Sequence, residues 1–304
     1  MSRRVGHNAA MRVGLIGTGN MGNRFGSKIL RGEHELLVYD LRRESSAALC
    51  DAGARWIDGP AAMASEAEVI ITSLPSPSAV ERVTLGSDGL VNLMPRGAIY
   101  VDMSTSTPWL ARDIAAAFEL RGVDALDAPL SSGGLFIGVG GARAAYDRCL
   151  PVLQAAGENV FYVGGPGLGQ TAKLVRQYVS FASFVAEAEA LVLAAKAGLE
   201  PGMMADFLGS TLGTSAHRER VIGSLLKGDF GDPETAASKL DIVSKDLELA
   251  VELARRVGSP SNVGLAASDV LQRGQARGWG RINFWSAVQV LEDMAGVQVR
   301  RARR

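Results

Sequence analysis

The chain has 304 residues, of which 47% are apolar and 21% are charged, with 32 basic and 32 acidic side chains. One hydrophobic core rarely serves a chain longer than about 250 to 300 residues, so two domains are expected. The balanced charge provides no field for capturing nucleic acid or an anionic membrane, and neither is expected as a partner.

Cys50 and Cys149 are isolated and form neither a disulfide framework nor a metal-binding pattern. This favours a reducing cytoplasm and no metal. The leader, residues 1–10, lacks the apolar stretch of a secretory signal, and we interpret it as a disordered extension. The basic end, residues 297–304, is interpreted as a frayed, solvated tail.

Short apolar runs alternate with helix-length segments from residue 11 to residue 165. The runs are RVGLIG, HELLVYD, EVIITSLP, AIYVDMS, VDALDAPL and NVFYVGG. Runs of this kind, separated by helices, indicate a mostly parallel sheet that is covered on both faces. The first domain is therefore predicted to be α/β.

From Gln170 onward the strand pattern gives way to helices, and residues 166–296 are predicted to be an all-α domain for substrate binding and oligomerisation. The predicted helices are 170–197, 201–208, 215–226, 235–257, 263–277 and 284–295. The first would extend about 42 Å, long enough to connect two domains. Glu187 and Glu189 interrupt its apolar run, which favours a buried helix over a membrane span.

The segment VGLIGTGNMGNRFGSKIL places three glycines in G-x-G-x-x-G spacing between a strand and a helix. In a Rossmann-type fold the first glycine permits a tight turn, the second lets the backbone approach a pyrophosphate, and the third lets helix and strand pack closely. The helix start then receives the phosphates. The predicted cofactor-binding residues of this turn are Gly17, Thr18, Gly19, Asn20, Met21 and Gly22.

Asp40 ends the second predicted strand, where a carboxylate can accept hydrogen bonds from the adenosine ribose hydroxyls. This favours NAD. Arg42 and Arg43 follow it, and their guanidinium groups are suited to a 2′-phosphate, so NADP stays open.

Three further strand ends are expected to line the same crevice. Leu74 and Pro75 end one run and are predicted to flank the cofactor. Thr105 lies in the hydroxyl-rich VDMSTSTP, where ligand contact and helix capping are both open, and Thr107 before Pro108 suits the capping role. The turn in DAPLSSGG is suited to holding a carboxylate.

These segments, in this order, resemble the β-hydroxyacid dehydrogenase family, which includes 3-hydroxyisobutyrate dehydrogenase, tartronate semialdehyde reductase, threonate dehydrogenase and 6-phosphogluconate dehydrogenase. GLIGTGNMG, SLP, VDMSTSTP, DAPLSSGG, GPGLGQTAKLVRQ and SKDLELA carry the resemblance, which spans Met11 to Ala295. It implies an NAD(P)-dependent exchange of hydride with a small β-hydroxyacid or its semialdehyde.

The resemblance implies that Lys173 is the general acid and base. An ammonium suits both directions of the reaction if its pKa falls toward the operating pH, and burial and positive neighbours have that effect. The other implied site residues are Ser131, Ser132 and Gly133 for the substrate carboxylate, Gln177 beside Lys173, Thr105 near the nicotinamide and Lys245 over the cofactor.

Two departures from the family pattern affect the choice of substrate. The family's Asn-Asn after the lysine is replaced by Arg176 and Gln177, and Arg176 is open between pairing with a second substrate anion and pointing outward. After Gly134 the segment LFIGVGG follows almost at once, so the wall of the substrate pocket is expected to be altered.

Two alternatives to the enzyme interpretation stay open. One is an NAD-binding protein with a sensing or assembly role, and the other is an imine reductase on the same fold, against which Lys173 argues. A homodimer or homotetramer is also expected. The aromatic residues behind that expectation are open between an interface and the domain's own core; they are Phe181, Phe184, Phe284 and Trp285.

Overall fold

The computed structural model describes residues 10–131, 136–213 and 215–302. The chain divides into two compact units, residues 1–173 and 174–304, which are called unit 1 and unit 2 below. The division falls inside a helix, eight residues after the boundary that the sequence suggests, because the start of that helix is bonded to unit 1.

The described residues of unit 1 form a sheet of nine strands. They are β1 (Arg12–Ile16), β2 (Glu35–Tyr39), β3 (Arg55–Trp56), β4 (Val69–Thr72), β5 (Ile99–Asp102), β6 (Asp124–Asp127), β7 (Leu130–Ser131), β8 (Phe136–Gly141) and β9 (Asn159–Gly164). Each of the six predicted runs contains a strand. The sequence pattern did not predict β3, which has two residues, or β8, whose glycines weaken the strand signal.

Helices connect these strands. They are α1 (Asn20–Arg31), α2 (Ala47–Asp51), α3 (Pro60–Glu66), α4 (Pro77–Leu85), α5 (Leu90–Leu93), α6 (Pro108–Glu119), α7 (Arg143–Ala156) and α8 (Leu168–Lys196), which continues into unit 2. The strand order is β3-β2-β1-β4-β5-β6-β8-β7, with β9 paired to β8. Neighbouring strands from β3 to β6 are parallel, and β8 is antiparallel to β6 and β7. The predicted mostly parallel α/β domain is confirmed.

The alternation of side chains along the strands explains why both faces of the sheet are covered. In β5, Ile99 and Val101 join one core cluster, whereas Tyr100 between them joins the other. All three are buried. Because successive side chains point to opposite faces, a strand that is apolar at every position must pack against helices on both sides.

Unit 2 is helical. Beyond its part of α8 it contains α9 (Pro201–Leu212), α10 (Ala216–Lys227), α11 (Leu240–Arg256), α12 (Asn262–Ala276) and α13 (Val288–Ala295), with 3-10 turns at Trp279–Arg281 and Phe284–Ala287. The predicted helical second domain is confirmed. The last predicted helix, however, starts with a 3-10 turn and becomes α-helical only at Val288.

The four aromatic residues considered for an interface lie in the core of unit 2. Phe181, Phe184, Phe284 and Trp285 are at most 7% exposed. The ring centroid of Phe284 lies 4.8 Å from that of Phe184 and 5.6 Å from that of Phe181. By length and composition α8 is apolar enough to cross a membrane. This packing supports its interpretation as a core helix instead.

Two expectations for unit 2 are wrong. The helix predicted from Thr235 begins at Leu240, because Asp232 accepts bonds from the Glu234 and Thr235 N–H groups and holds the preceding residues in a turn. The C-terminal segment is not frayed up to Ala302, although Arg301 and Ala302 are exposed. Val299 is fully buried and its N–H bonds Glu292 at 2.7 Å, while Arg301 pairs with Asp206.

Candidate active site

The carboxyl ends of four parallel strands meet at one edge of the sheet in unit 1. Ile16 of β1 is in register with Thr72 of β4, Thr72 with Asp102 of β5, and Asp102 with Asp127 of β6. The predicted cofactor turn and the SLP, VDMSTSTP and DAPLS segments follow these strand ends directly. The sheet therefore brings the predicted unit 1 segments to the edge where open α/β folds bind ligands.

The glycine turn has the shape that a dinucleotide requires. Gly17 has a φ of +96°, and a Cβ there would lie 2.3 Å from the Ser73 carbonyl oxygen. A Cβ on Gly22 would lie 2.1 Å from the Gly17 oxygen, whereas one on Gly19 would meet no described atom within 4 Å. The backbone at Gly19 thus borders open space, as the predicted approach of a pyrophosphate requires.

The start of α1 offers positive polarity at the same place. Its first turn has no acidic residue, and its N-cap, Gly19, provides no side-chain bond. Asn20 is exposed, and Met21 packs partly against the core. The N–H groups at this helix end suit an anionic phosphate.

Asp40 links the end of β2 to the glycine turn. Its carboxylate accepts bonds from the Thr18 N–H at 2.8 Å and the Arg42 N–H at 2.9 Å. Thr18 is fully buried, and its hydroxyl lies 2.9 Å from that of Ser46. The guanidinium of Arg43 stacks over the Trp56 ring at 5.3 Å. Asp40 therefore shapes the turn in addition to its predicted role with ribose.

The other predicted cofactor contacts of unit 1 follow the ends of β4 and β5. Leu74 is half-buried and its N–H bonds the Ser104 hydroxyl at 2.8 Å, while Pro75 is exposed. Thr105 is half-buried between the buried Ser104 and Ser106. The hydroxyl of Thr107 accepts a bond from the Leu110 N–H, which confirms its predicted capping of α6.

Lys173 lies beside the predicted carboxylate-binding turn. It is 8% exposed, and its Nζ donates to the Leu130 carbonyl oxygen at 2.7 Å. Ser131, the next residue of β7, is half-buried. The other two predicted cradle residues, Ser132 and Gly133, lie outside the described residues. A lysine 43 positions away in sequence is thus bonded to the DAPLS segment.

Asp127 is a site residue that the sequence interpretation missed. Its carboxylate accepts bonds from the N–H groups of Gly167 at 2.8 Å and Gln170 at 2.7 Å, and so caps the start of α8. Burial raises the pKa of Asp127 to about 6, although the hydrogen bonds from the Gln170 and Gly167 N–H groups act to lower that pKa. The sequence did indicate that this helix start needs an acid from elsewhere, because α8 has no acidic residue in its first turn. A cap from elsewhere in the chain was therefore to be expected.

Gln170 connects this cap to the next strand end. Its side-chain oxygen accepts a bond from the Ser106 N–H and its nitrogen donates to the Ser104 carbonyl, both at 2.9 Å. Asp102 accepts bonds from the Ser104 N–H and the Thr72 hydroxyl, both at 3.0 Å. Burial raises the pKa of Asp102 to about 6, and these bonds oppose the rise. The helix that carries Lys173 is thereby fixed to the sheet edge.

The remaining predicted residues, Gln177 and Lys245, belong to unit 2. Gln177 is 6% exposed, and its Nε2 donates to Asp246 Oδ2 at 2.7 Å. The Nζ of Lys245 lies 3.1 Å from Asp246 Oδ1. Asp246 was not predicted as a site residue, although it follows Lys245 directly in SKDLELA. The structure brings Gln177 and Lys245 together through this carboxylate.

Two sequence families match most of the chain. Residues 12–164 match the NAD binding domain of 6-phosphogluconate dehydrogenase, and residues 167–291 match the family described as NAD-binding of NADP-dependent 3-hydroxyisobutyrate dehydrogenase. Both units are therefore covered by families of nicotinamide-dependent dehydrogenases.

Known proteins are similar over nearly the whole length. The 2-(hydroxymethyl)glutarate dehydrogenase of Eubacterium barkeri is 30% identical, covering 95% of this chain and 98% of its own. The 3-sulfolactaldehyde reductase of Escherichia coli is 31% identical, covering 91% and 94%. The Mycobacterium tuberculosis 3-hydroxyisobutyrate dehydrogenase structure with L-serine is 25% identical, with a TM-score of 0.83 and coverage of 93% and 99%. An imine reductase from a Pseudomonas species, 18% identical at a TM-score of 0.56, shows the shared fold alone.

Proposed function

Because the chain belongs to the β-hydroxyacid dehydrogenase family of NAD(P)-dependent oxidoreductases, we propose that it interconverts a small β-hydroxyacid and its semialdehyde, with Lys173 as the general acid and base. The bound nicotinamide supplies the hydride acceptor or donor. In the oxidation, Lys173 takes the proton of the substrate hydroxyl while the hydride leaves the carbon that bears it. In the reduction, Lys173 returns a proton to the aldehyde oxygen.

The bond between Lys173 Nζ and the Leu130 carbonyl carries this proposal. It holds a buried amine against the strand whose next residue, Ser131, begins the proposed carboxylate cradle. A general acid must lie within hydrogen-bond reach of the oxygen that it serves, and a fixed amine beside the cradle meets that requirement. Ser132 and Gly133 are proposed to complete the cradle.

The remaining roles follow from the same proposal. NAD is proposed over NADP because Asp40 sets a carboxylate at the end of β2, where the 2′-phosphate of NADP would be repelled. Thr105, Leu74 and Pro75 are proposed to contact the cofactor, and Lys245 to approach it. Gln177 is proposed to assist in substrate binding.

The test follows NADH absorbance with hydroxyisobutyrate, glycerate, threonate, serine and phosphogluconate, using NAD and NADP in parallel. Lys173→Ala should reduce turnover by a factor of about 10² to 10⁴ and leave NAD binding unchanged. Lys227→Ala, at an exposed position at the end of α10, is the control and should retain activity.

Three outcomes would contradict the proposal. A wild-type protein that binds NAD but turns over none of these acids would favour a sensing or assembly role. Turnover of a cyclic imine in place of a hydroxyacid would favour imine reduction. Full activity of Lys173→Ala would remove Lys173 from the mechanism.

The protein is also proposed to form a homodimer or homotetramer in the cytoplasm. Since the aromatic residues first considered are in the core, the support comes from α9, where Met203, Phe207 and Leu212 are 64%, 62% and 80% exposed. Large apolar side chains on one helix favour burial against a second copy. Sedimentation should show an oligomer that Phe207→Asp weakens, and a monomeric wild type would contradict this.

A further inference from the structure

The side-chain amide of Gln170 bridges the two residues that flank Thr105. Gln170 lies in the first turn of α8 and is fully buried. Its Oε1 accepts a bond from the Ser106 N–H, and its Nε2 donates to the Ser104 carbonyl oxygen, both at 2.9 Å. One planar group is therefore bonded to the backbone on both sides of a single residue.

The partners of this amide dictate its orientation. A backbone N–H only donates and a backbone carbonyl only accepts, so an amide turned by 180° would lose both bonds. The Nε2 of Gln170 also lies 3.5 Å from Asp102 Oδ2, a position that favours a donor over a second oxygen. Glutamine therefore suits this position better than glutamate, which has no side-chain donor when it is ionised.

The bridge surrounds the one residue of its segment that reaches the surface. Within residues 101–108, all of which the structure describes, every residue is buried except Thr105, which is half-buried. The N–H of Ser104 is further bonded to Asp102 at 3.0 Å, and Thr107 caps α6. The backbone around Thr105 is fixed on both sides, so its side chain has a defined direction.

The helix end that carries the amide is itself held against the sheet. The Gln170 N–H bonds Asp127 Oδ2 at 2.7 Å. A Cβ on the preceding Gly169 would lie 2.1 Å from the Asp127 carbonyl oxygen and 2.7 Å from that of Gly138, so backbone contacts backbone there without room for a side chain. The start of α8 cannot shift relative to β6 and β8 without breaking these contacts, and the amide fixes Thr105 relative to the same helix end.

We propose that Gln170 is a positioning residue whose amide fixes Thr105 relative to Lys173, so that the residue beside the nicotinamide and the general acid and base keep one spacing. This rests on the proposed function, which assigns those two roles. Gln170 precedes Lys173 by three positions on α8, a spacing at which Cβ atoms are about 5–6 Å apart. All three residues belong to unit 1. The spacing matters because a misplacement of about 1 Å can cost about a hundredfold in rate.

The first arm of the test compares the binding of NADH with that of ADP-ribose, which lacks the nicotinamide. Gln170→Met has a side chain of similar length and removes both bonds. It should weaken NADH binding by about three- to tenfold, the effect of one misplaced hydrogen bond, and change ADP-ribose binding by less than about twofold. If the wild type prefers NADPH, the same pair carrying a 2′-phosphate is used.

Two further variants support this arm. Gln170→Asn keeps an amide that is one bond too short to reach both backbone groups. It should show the same selective loss, and it carries the test if the methionine variant does not fold. Gln154→Met, at an exposed position of α7, is the matched control and should bind NADH and ADP-ribose like the wild type.

Thr105→Val shows whether Gln170 acts through Thr105. In the wild-type background, loss of the hydroxyl should weaken NADH binding by about three- to tenfold and leave ADP-ribose binding unchanged. In the Gln170→Met background, Thr105→Val should cause little further loss, because the hydroxyl is already misplaced. Effects that simply add would overturn the proposal, and so would a Thr105→Val variant that binds NADH like the wild type.

The second arm uses turnover to separate this proposal from the proposed function. With a hydroxyacid that the wild type oxidises, Gln170→Met should lower kcat by about ten- to hundredfold and leave KM for the acid within about twofold. A protein that is inert toward every acid but shows the selective, coupled loss of NADH binding would support the positioning role, and the proposed function alone would fail. An equal loss for NADH and ADP-ribose, or a wild-type kcat in Gln170→Met, would overturn the positioning role.

Discussion

Two regions at the same sheet edge of unit 1 are built in different ways. The glycine turn after β1 is a contiguous stretch, Gly17 to Gly22, in which close backbone contacts decide the conformation. The start of α8 is assembled from Asp102, Asp127 and Gln170, which are far apart in sequence and joined by buried hydrogen bonds. The first region depends on the lack of side chains, and the second depends on charged and polar ones.

This difference determines how each region responds to substitution. An added methyl group in the turn meets backbone atoms that cannot move without displacing a strand or a helix. A substitution at the start of α8 instead leaves buried polar groups without partners, and that penalty depends on protonation. Substitutions in the turn should therefore act through steric overlap. Substitutions at the hydrogen-bonded start of α8, called the α8 network below, should act through the loss of buried polar partners.

Among substitutions in these two regions, the largest functional effect is expected for Gly22→Ala. Its Cβ would lie 2.1 Å from the Gly17 carbonyl oxygen, so α1 must shift away from the turn. A displaced helix start would no longer direct its N–H groups at a phosphate, which should weaken NAD binding by about a hundredfold or more. The overpacking should reduce the free energy of unfolding by about 1–3 kcal/mol. Titration with NAD and urea unfolding measure the two effects.

Gly19→Ala is the matched control for the steric argument. Its backbone has a negative φ of −65°, and its Cβ would meet no described atom within 4 Å. The stability should stay near that of the wild type, while NAD binding weakens because the methyl occupies the space proposed for the pyrophosphate. Equal destabilisation by both substitutions would contradict the steric account of the turn.

A smaller effect on function, although a larger one on stability, is expected for Asp127→Ala. The substitution leaves the N–H groups of Gly167 and Gln170 without their buried acceptor, which should lower the free energy of unfolding by about 2–4 kcal/mol. The start of α8 should then shift, and displacement of Lys173 should lower kcat by about ten- to hundredfold.

Asp127→Asn separates the capping role from simple packing. Asparagine keeps the volume but accepts from one of the two N–H groups and turns a donor toward the other, so kcat should fall between the wild type and the alanine variant. Wild-type kcat in Asp127→Ala, measured at a temperature where the variant is folded, would show that the cap does not position Lys173.

The glycine turn could be predicted from the sequence more completely than the α8 network. Its sequence pattern is local, whereas the partners in the α8 network are distant in sequence. The turn requires three glycines at fixed spacing after an apolar strand, and all of that information is local. The segments that line the sheet edge were also predictable, since parallel strands end at the same side. The partners of Asp127 lie 40 and 43 positions away, and no periodicity of the chain reports that pairing.

In unit 2, too, the helices could be predicted from the sequence but the pairing of distant residues could not. Its helices were predicted to within a few residues from apolar spacing and glycine or proline stops, except where Asp232 delays the start of α11. Gln177 and Lys245 were identified through resemblance. Their common partner, Asp246, depends on contact between α8 and α11, and the bond from Gln177 joins residues 69 positions apart.

The smallest effect, and the one that depends on pH, is expected for Asp102→Asn. Burial raises the pKa of Asp102 to about 6 in the folded protein, above its ordinary value of 3.8. The folded state therefore holds this proton more tightly than the unfolded chain. The resulting contribution to stability is complete below about pH 4 and is lost as the pH rises through 6.

Asparagine should retain the bonds from the Ser104 N–H and the Thr72 hydroxyl through its side-chain oxygen, without ionising. The variant should thus gain about 1–3 kcal/mol relative to the wild type between pH 4 and pH 7. Urea unfolding of both proteins at several pH values measures the difference, in which titrating groups that do not interact with Asp102 cancel. A difference that stays constant with pH would show that Asp102 is not held as a buried carboxyl with a raised pKa. It would also contradict the claim that buried charge governs how the start of α8 responds to substitution.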